Sequence, residues 1–444
     1  MSITSIPRHR RRGAAMSQAA SIERPEAGAA REANPPPASS RIVSMDQFRG
    51  YAVAGMFVVN FLGGMAVTHQ LLAHNNTHFS WADSIMPGFL FACGFSYRLS
   101  VLKRVPRLGR MRTYVGIIRR ALALMLISLV MYGFGSGFRS WDAMTAAGVG
   151  EFLAELLKAN LWEVLAIIGA TQIFLLPVIE LSSRARLAAA VVLSFGHALL
   201  SWSFNYEFVF GLPNWMDAYW GAVGKRAWDG GFFGITSWAI AMLAGTLVYD
   251  LIASRGSRRA LGPLVGWGLS LMLLGYALSC LTRLYDVREE NAVAVASTQN
   301  GKFAASPVSP PWENARGRTW ESLLAEPPFV PPPPVTERKW NYWMMNKRVV
   351  TQSFILFATG FSCFVYALFV LACDIGNWRL GLFGTFGQNA LAAYIIHYPI
   401  KKTMHQIVPE NSPLWWAATG LTIFFIITWI FVRYLERNRI FVRL

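Results

Sequence analysis

The stretch VTQSFILFATGFSCFVYALFVLAC, residues 350–373, contains no charged side chain. A helix that crosses the hydrocarbon core of a bilayer needs about 20 mainly apolar residues, so this stretch predicts a membrane-spanning helix. Nine further apolar stretches lie at about 50–68, 84–102, 114–135, 161–181, 187–204, 232–252, 261–282, 383–400 and 414–433. The sequence therefore predicts an all-α fold, a polytopic membrane helix bundle of about ten transmembrane helices.

The composition agrees with a membrane protein. Of the 444 residues, 54% are hydrophobic and 15% are charged, whereas soluble proteins contain about 25% charged residues. The net charge of +17 comes from lysines and arginines in the connectors between apolar stretches. That distribution is the positive-inside pattern, and with ten spans it places both termini in the cytoplasm. We therefore expect membrane lipid around the chain and no nucleic-acid partner.

Two segments lie outside the predicted spans. Residues 1–40 are rich in Arg, Ala, Ser and Pro, and no apolar core of a signal peptide follows their basic cluster, so we expect a disordered cytoplasmic tail. Residues 41–444 then form one transmembrane domain, with a long Pro- and Trp-rich loop at about 283–348 on the outer face. The lack of a signal peptide and of a luminal domain favours the inner (plasma) membrane of a bacterial-type cell.

The cysteines and the aromatic residues of the chain bear on which kinds of site it can contain. The four cysteines lie in or beside apolar stretches, which argues against disulfides and structural zinc. Residues 204–231 are rich in aromatic side chains. Such side chains are typical of the membrane interface, which we favour for this connector, and they also stack on sugar rings.

The connector after the first span concentrates ionisable side chains. Within HQLLAHNNTHFSWAD, residues 69–83, lie His69, His74, His78 and Asp83. Only His74 and His78 have the spacing of one helix face, and HNNTH is a loop sequence, so we expect no metal site. A histidine general base fits better, since it titrates near neutral pH and Asp83 or Asn60 can fix its tautomer. The alternative is a solvated loop histidine without a chemical role.

An ordered pattern runs through the first two spans. It consists of Arg41, Ser44, Asp46, Arg49, Gly50, Val59, Asn60, Gly63, Gly64, Ala82, Asp83, Pro87, Phe89, Phe91 and Gly94. This pattern resembles the heparan-alpha-glucosaminide N-acetyltransferase family, which has R-x-x-S-x-D-x-x-R-G, then V-N-x-x-G-G, a histidine, and A-D-x-x-x-P-x-F-x-F-x-x-G. Later stretches around Asp229, Asn346 and His397 are also similar, so the resemblance extends over about residues 41–430.

The resemblance implies a chemistry. Family members bind acetyl-CoA from the cytoplasmic side and deliver the acyl group to an amine on the outer face, with a loop histidine as the catalytic residue. That histidine lies about ten residues before the Asp of the Ala-Asp pair. His74 is the closest match because it lies nine residues before Asp83, while His78 and His69 remain alternatives. The expected partners are acyl-CoA and an extracytoplasmic glycan or amino sugar, and a homodimer is left open.

Further site residues follow from helix depth and from the motifs. Asn60, Asn389 and His397 are expected to line the core and donate hydrogen bonds to a developing oxyanion, beside His74 as base or acyl carrier. Helix–helix hydrogen bonding is the alternative for Asn389 and His397.

Acetyl-CoA, the expected co-substrate, has its own candidate residues. They are Asp46, Arg49, Asn346 and Lys347. Of these, Arg49 is the best candidate for a phosphate contact, since it lies at a helix start on the cytoplasmic side.

The chain departs from the family in two places. The family's Asp-Pro-Glu-Gly segment corresponds to Asp229, Gly230, Gly231 and Phe232, and the Gln-Arg pair of its fourth helix corresponds to Ala166 and Ile167. For Glu163, just before that helix, two interpretations stay open: it replaces part of the lost polarity, or it is an interfacial residue at a helix start. The loss of the Gln-Arg pair favours one alternative function, a catalytically silent scaffold in the cell envelope. A multi-pass transporter, whose buried polar residues line a permeation path, is the other alternative.

Overall fold

The computed structural model describes residues 42–132, 140–287 and 299–442. Over these ranges the chain is helical, with two isolated β-bridges, Asp286–Arg338 and Phe303–Trp340, and no β-strand. The described residues belong to one compact unit, Ile42–Leu444, which confirms the all-α membrane bundle. The predicted tail at 1–40 lies outside the described residues.

Helices of very different length follow one another along the chain. They are α1 (Val43–Leu62), α2 (Trp81–Leu108), α3 (Arg110–Tyr132), α4 (Trp141–Glu155), α5 (Val164–Phe174), α6 (Ser183–Leu200), α7 (Tyr206–Phe210), α8 (Trp215–Trp220), α9 (Ile235–Arg255), α10 (Ser257–Ser279), α11 (Trp320–Leu323), α12 (Gln352–Phe369), α13 (Gly381–Gln388), α14 (Ala390–Met404) and α15 (Leu414–Arg437). Short 3₁₀ turns (Gln70–Leu72, Gly231–Gly234, Cys280–Tyr285, Gln299–Lys302 and Trp312–Ala315) and π-helical turns (Leu156–Asn160, Ser201–Asn205 and Val370–Ile375) lie between or extend them.

Within the described ranges, seven helical segments are long and apolar enough to cross a membrane. They are Trp81–Leu108, Arg110–Tyr132, Ser183–Phe210, Gly231–Arg255, Ser257–Tyr285, Gln352–Ile375 and Leu414–Arg437. Each coincides with a predicted span. The other three predicted spans correspond to α1, which has Asp46 and Arg49 near its start, to the short α5, and to the pair α13 and α14.

The centre of the bundle is a close crossing of α2 and α9. A methyl group added at Gly94 would lie 1.9 Å from the carbonyl oxygen of Met242, and one added at Gly245 would lie 2.0 Å from that of Phe91. Small residues allow this approach, which is a common way for membrane helices to associate. The crossing holds the start of α2, and with it the connector that precedes α2, in a fixed position.

The outer faces of peripheral helices are apolar. Leu126 and Val130 on α3 and Val192 and Phe195 on α6 are between 60% and 75% exposed. Apolar side chains on the outside of a helix whose backbone is fully hydrogen-bonded are what a lipid environment requires.

The aromatic connector, residues 204–231, packs against the described part of the long connector at 283–348. Tyr206, Phe210 and Tyr342 are buried in one cluster, and the ring centroids of Phe210 and Phe303 are 4.8 Å apart. The buried Arg338 ties the second of these connectors together, because its Nε donates to Asp286 Oδ1 at 2.6 Å. Part of the aromatic stretch at 204–231 is therefore core, while Trp215 and Tyr219 remain exposed.

Candidate active site

A cavity of about 280 Å³ lies between the end of α1 and the start of α2. Apolar side chains of these two helices form one wall: Met56, Val59, Ala82, Ile85, Met86 and Phe89. The polar and aromatic lining is Asn60, His74, Asn76, Tyr132, Glu163, Trp228, Asp229, Lys347, Arg348, Tyr394 and Lys401. Polar and aromatic groups from seven separate parts of the chain thus converge on one space, as expected for a ligand site.

The start of α2 positions a carboxylate beside this cavity. Ser80 is the N-cap, and its hydroxyl accepts from the backbone N–H of Asp83 at 3.2 Å. A Ser three residues before an acidic side chain is a sequence signal for a helix start. The Asp83 carboxylate in turn accepts from the Ser80 hydroxyl at 2.8 Å and from the Asn75 N–H at 3.2 Å.

His74 completes a dyad with this carboxylate. Its Nδ1 lies 2.9 Å from Asp83 Oδ1. The Asp83 side chain is 1% exposed and that of His74 is 43% exposed. Because Asp83 accepts at Nδ1, the proton lies on that nitrogen and Nε2 is the basic one. A buried carboxylate that holds an accessible imidazole in one tautomer is the arrangement of a general base.

The other two histidines of the connector lie elsewhere. His69 is exposed and accepts from the Leu71 N–H at 3.3 Å, at the start of a 3₁₀ turn. His78 is buried and lines a separate, smaller cavity together with Glu326 and Arg338. Burial lowers the pKa of His78, and Asp83 opposes that shift. Of these three histidines, His74 is the one that lines the large cavity.

Asn60 and His397 are brought together. The Asn60 Nδ2 donates to His397 Nε2 at 3.3 Å, and the other ring nitrogen of His397 donates to the Tyr394 carbonyl. His397 is fully buried and stacks on Phe57, with ring centroids 5.3 Å apart. Asn60 therefore faces the cavity, and His397 lies behind it and fixes its amide.

Asn389 lies away from the cavity. It separates α13 from α14, and its amide bridges the chain after α15, donating to the Ile440 carbonyl at 2.9 Å and accepting from the Val442 N–H at 3.2 Å. The predicted continuous span at 383–400 is interrupted at this residue for that reason. Its hydrogen bonds are those of a helix–helix joint.

The four expected acetyl-CoA residues fall into two groups. Arg49 and Asp46 lie near the start of α1, about 16 Å and 21 Å along the helix axis from Asn60. Lys347 lines the cavity itself. Asn346 is buried, and its side-chain oxygen accepts from the Val349 N–H at 3.2 Å, which shapes the turn before α12.

Two further segments, which contain Trp228, Asp229, Lys347 and Arg348, form another part of the cavity wall. The Gly230 N–H donates to the Arg348 carbonyl at 2.7 Å, which holds residues 228–231 beside residues 346–351. Lys347 Nζ lies 3.4 Å from Asp229 Oδ1, and the Arg348 guanidinium lies 3.6 Å from the centroid of the Trp228 ring.

Several lining residues carry no clear functional signal in the sequence. Trp228 lies in an aromatic connector, Lys401 in a basic one, and Tyr132 at the end of an apolar span. Tyr394 is an exception, because it matches the family pattern in the same helix as His397. That match is the sequence signal that could have identified Tyr394 as a site residue. The Tyr132 and Tyr394 hydroxyls are 2.9 Å apart at the cavity.

Comparison with known protein families places this chain in a family. The model of the family described as "Acyltransferase domain" matches residues 42–433. The chain belongs to this family. Together with the seven apolar helical segments found in the described ranges, the match identifies a membrane acyltransferase. No curated protein sequence matches the chain significantly.

Proposed function

We propose that this acyltransferase moves an acetyl or other acyl group from acyl-CoA to an amine or hydroxyl of an amino sugar or other glycan bound in the cavity beside His74. The observation that carries the proposal is the His74–Asp83 dyad, with Nδ1 and Oδ1 2.9 Å apart and Nε2 unpaired among the described residues. The resemblance to the heparan-alpha-glucosaminide N-acetyltransferase family supports acetyl-CoA as the donor and an amino sugar as the acceptor.

The reaction needs a base and an oxyanion donor. His74 Nε2 removes the proton from the attacking amine or hydroxyl, whose N–C or O–C bond then forms at the thioester carbonyl. As the C–S bond breaks, the imidazolium returns the proton to the leaving CoA thiolate. One N–H of the Asn60 amide is bonded to His397, so its second N–H is available to the carbonyl oxygen as negative charge develops.

The two substrates approach from opposite ends of α1 in this proposal. Acyl-CoA comes from the end of Asp46 and Arg49, and the acceptor comes from the cavity end, about 16 Å away along the helix axis. With both termini in the cytoplasm, as the positive-inside pattern favours, the acceptor lies on the outer face of a plasma membrane.

The test uses the purified full-length chain with labelled acetyl-CoA and a panel of amino sugars. We expect wild type to transfer the label, and His74→Asn to reduce kcat by about 10²- to 10⁴-fold. The matched control is His69→Asn, which changes an exposed histidine of the same connector and retains wild-type turnover. Absence of CoA turnover in wild type contradicts the function, whereas equal turnover in His74→Asn contradicts only the site.

A further inference from the structure

The wall of the cavity that His74 lines contains two neighbouring cations in different surroundings. Lys347 has a carboxylate partner, since its Nζ lies 3.4 Å from Asp229 Oδ1. Arg348 has an aromatic partner, with its guanidinium 3.6 Å from the centroid of the Trp228 ring. The two cations follow each other in the chain and line the same cavity. Their different partners therefore affect which of the two can bind a ligand in this cavity.

The Arg348 side chain has unused hydrogen-bonding capacity. No hydrogen bond or ion pair joins its guanidinium to any other residue in the described ranges, and its Nε is buried without a partner. The nearby carboxylate of Asp229 is already bonded to Lys347. A buried donor that lacks a partner is unfavourable in a folded protein, and such donors recur where a ligand supplies the missing acceptor.

The Arg348 guanidinium contacts the Trp228 ring at 3.6 Å, while its N–H donors have no hydrogen-bond partner among the described residues. An aromatic ring contacts the flat face of an arginine, whereas the N–H donors lie in its plane and point outwards. That planar set of donors matches the oxygens of a carboxylate or a phosphate, which it binds through two parallel hydrogen bonds. The Arg348 backbone is held in place as well, because its carbonyl accepts from the Gly230 N–H at 2.7 Å.

The charges around the cavity agree with an anionic ligand. The lining contains the cations Lys347, Arg348 and Lys401 and the carboxylates Glu163 and Asp229. Within this lining the cations exceed the carboxylates by one, whereas the Asp83 carboxylate is not part of the lining and is held by His74, Ser80 and Asn75. An unpaired Arg beside a paired Lys places this excess charge at a defined point on the wall.

We propose that Arg348, supported by Trp228, is an anion-binding subsite of the acceptor cavity, so that the acceptor carries a carboxylate or phosphate group near the amine or hydroxyl that is acylated. The inference rests on the proposed function and adds the charge class of the acceptor. The group that Arg348 would bind is an oxyanion, and both a sugar acid and a sugar phosphate supply one.

The first experiment compares amino-sugar acceptors that are neutral or anionic at C6 and otherwise have the same ring. Glucosamine is compared with glucosamine 6-phosphate and with 2-amino-2-deoxyglucuronic acid, each with labelled acetyl-CoA and the full-length chain. Wild type is expected to favour at least one anionic member by about tenfold or more in kcat/KM, and Arg348→Gln to reduce this ratio to near one. The two anionic arms distinguish a phosphate from a carboxylate. Equal use of charged and neutral acceptors by wild type overturns the proposal.

Three further variants separate the subsite from general effects of charge and folding. Arg226→Gln removes an exposed arginine near the same wall that does not line the cavity, and it should keep the wild-type ratio. Arg348→Lys keeps the charge without the planar donors, so the ratio should fall only in part. Trp228→Phe should retain the ratio, and Trp228→Leu should lose most of it. A ratio lowered as much by Arg226→Gln as by Arg348→Gln contradicts a specific subsite.

A binding measurement distinguishes this inference from the proposed reaction. Equilibrium binding of D-glucuronate, glucose 6-phosphate and glucose is measured on the full chain in lipid nanodiscs without acyl-CoA. We expect an anionic sugar to bind more tightly than glucose, and Arg348→Gln to abolish the difference. Arg348-dependent binding in a chain that transfers no acyl group would refute the proposed reaction and support the subsite. Binding of the anions that is unchanged in Arg348→Gln would overturn the subsite.

Discussion

The two ends of α1 both contain polar side chains, but they use them differently. Near its start, Arg49 donates to Ser96 Oγ at 2.6 Å and to the Gly387 carbonyl at 3.2 Å, and joins three helices. Near its end, Asn60 faces a cavity where His74 Nε2 and the Arg348 guanidinium have no hydrogen-bonding partner in the described part of the chain. A structural joint satisfies its own polar groups, whereas a site keeps some of them available for a ligand.

The largest expected effect comes from breaking the dyad at the cavity end. Asp83→Asn can donate to His74 Nδ1 and so favours the tautomer whose Nε2 carries the proton. We expect kcat for acyl transfer to fall by about 10²- to 10⁴-fold, with KM for acyl-CoA little changed. Steady-state kinetics measure this effect. The control, Asp142→Asn, changes an exposed acid on α4 and should leave kcat unchanged; a similar loss in both variants would exclude a specific role of Asp83.

The next prediction concerns Glu163, which lines the same cavity at the end of α1, and the pH dependence of the protein's stability. It lies before α5, outside the seven spanning segments, and burial, followed by the nearby Asp229, raises its pKa from 4.5 to about 7. The folded protein therefore binds this proton more tightly than the unfolded chain does. The free energy of unfolding falls as pH rises from about 4.5 to 7, and the whole loss is present above pH 7.

Glu163→Gln removes this loss because glutamine does not titrate. We expect the variant and wild type to have similar stability near pH 4.5, and the variant to be more stable by about 1–3 kcal/mol at pH 8. Denaturant unfolding in detergent across this pH range measures the difference. Glu151→Gln, on the exposed face of α4, is the control. A difference between Glu163→Gln and wild type that does not change with pH contradicts the assignment.

The smallest expected effect is at the other end of α1. If Arg49 contacts a phosphate of the donor, Arg49→Gln raises KM for acetyl-CoA by about tenfold with kcat little changed. Acetyl-dephospho-CoA, which lacks the 3′-phosphate, locates the contact, since the effect of the substitution shrinks if Arg49 binds that phosphate. Arg258→Gln, in the first turn of α10, is the control. An unchanged KM would leave Arg49 with its hydrogen bonds to Ser96 and Gly387 as its role.

The sequence predicted the bundle because apolar stretches report membrane helices directly. It also brought His74 and Asp83 together, since both lie in one connector and Ser80 marks the helix start between them. The break at Asn389 was missed because it depends on hydrogen bonds to residues after α15, which are far away in the chain. The pairing of Trp228 with Arg348 was missed for the same reason, since composition does not report which loops meet.

The cavity is built partly from one continuous segment and partly from segments that are far apart in the chain. The dyad comes from a single segment of ten residues, 74–83, whereas the part of the wall that contains Trp228 and Arg348 comes from two segments joined through Gly230 and Arg348. In the proposed function, substitutions in either of those two segments reshape the acceptor side of the cavity while the hydrogen bond between His74 and Asp83 stays as it is. The fold thus allows the choice of acceptor to diverge among relatives that retain the same reaction.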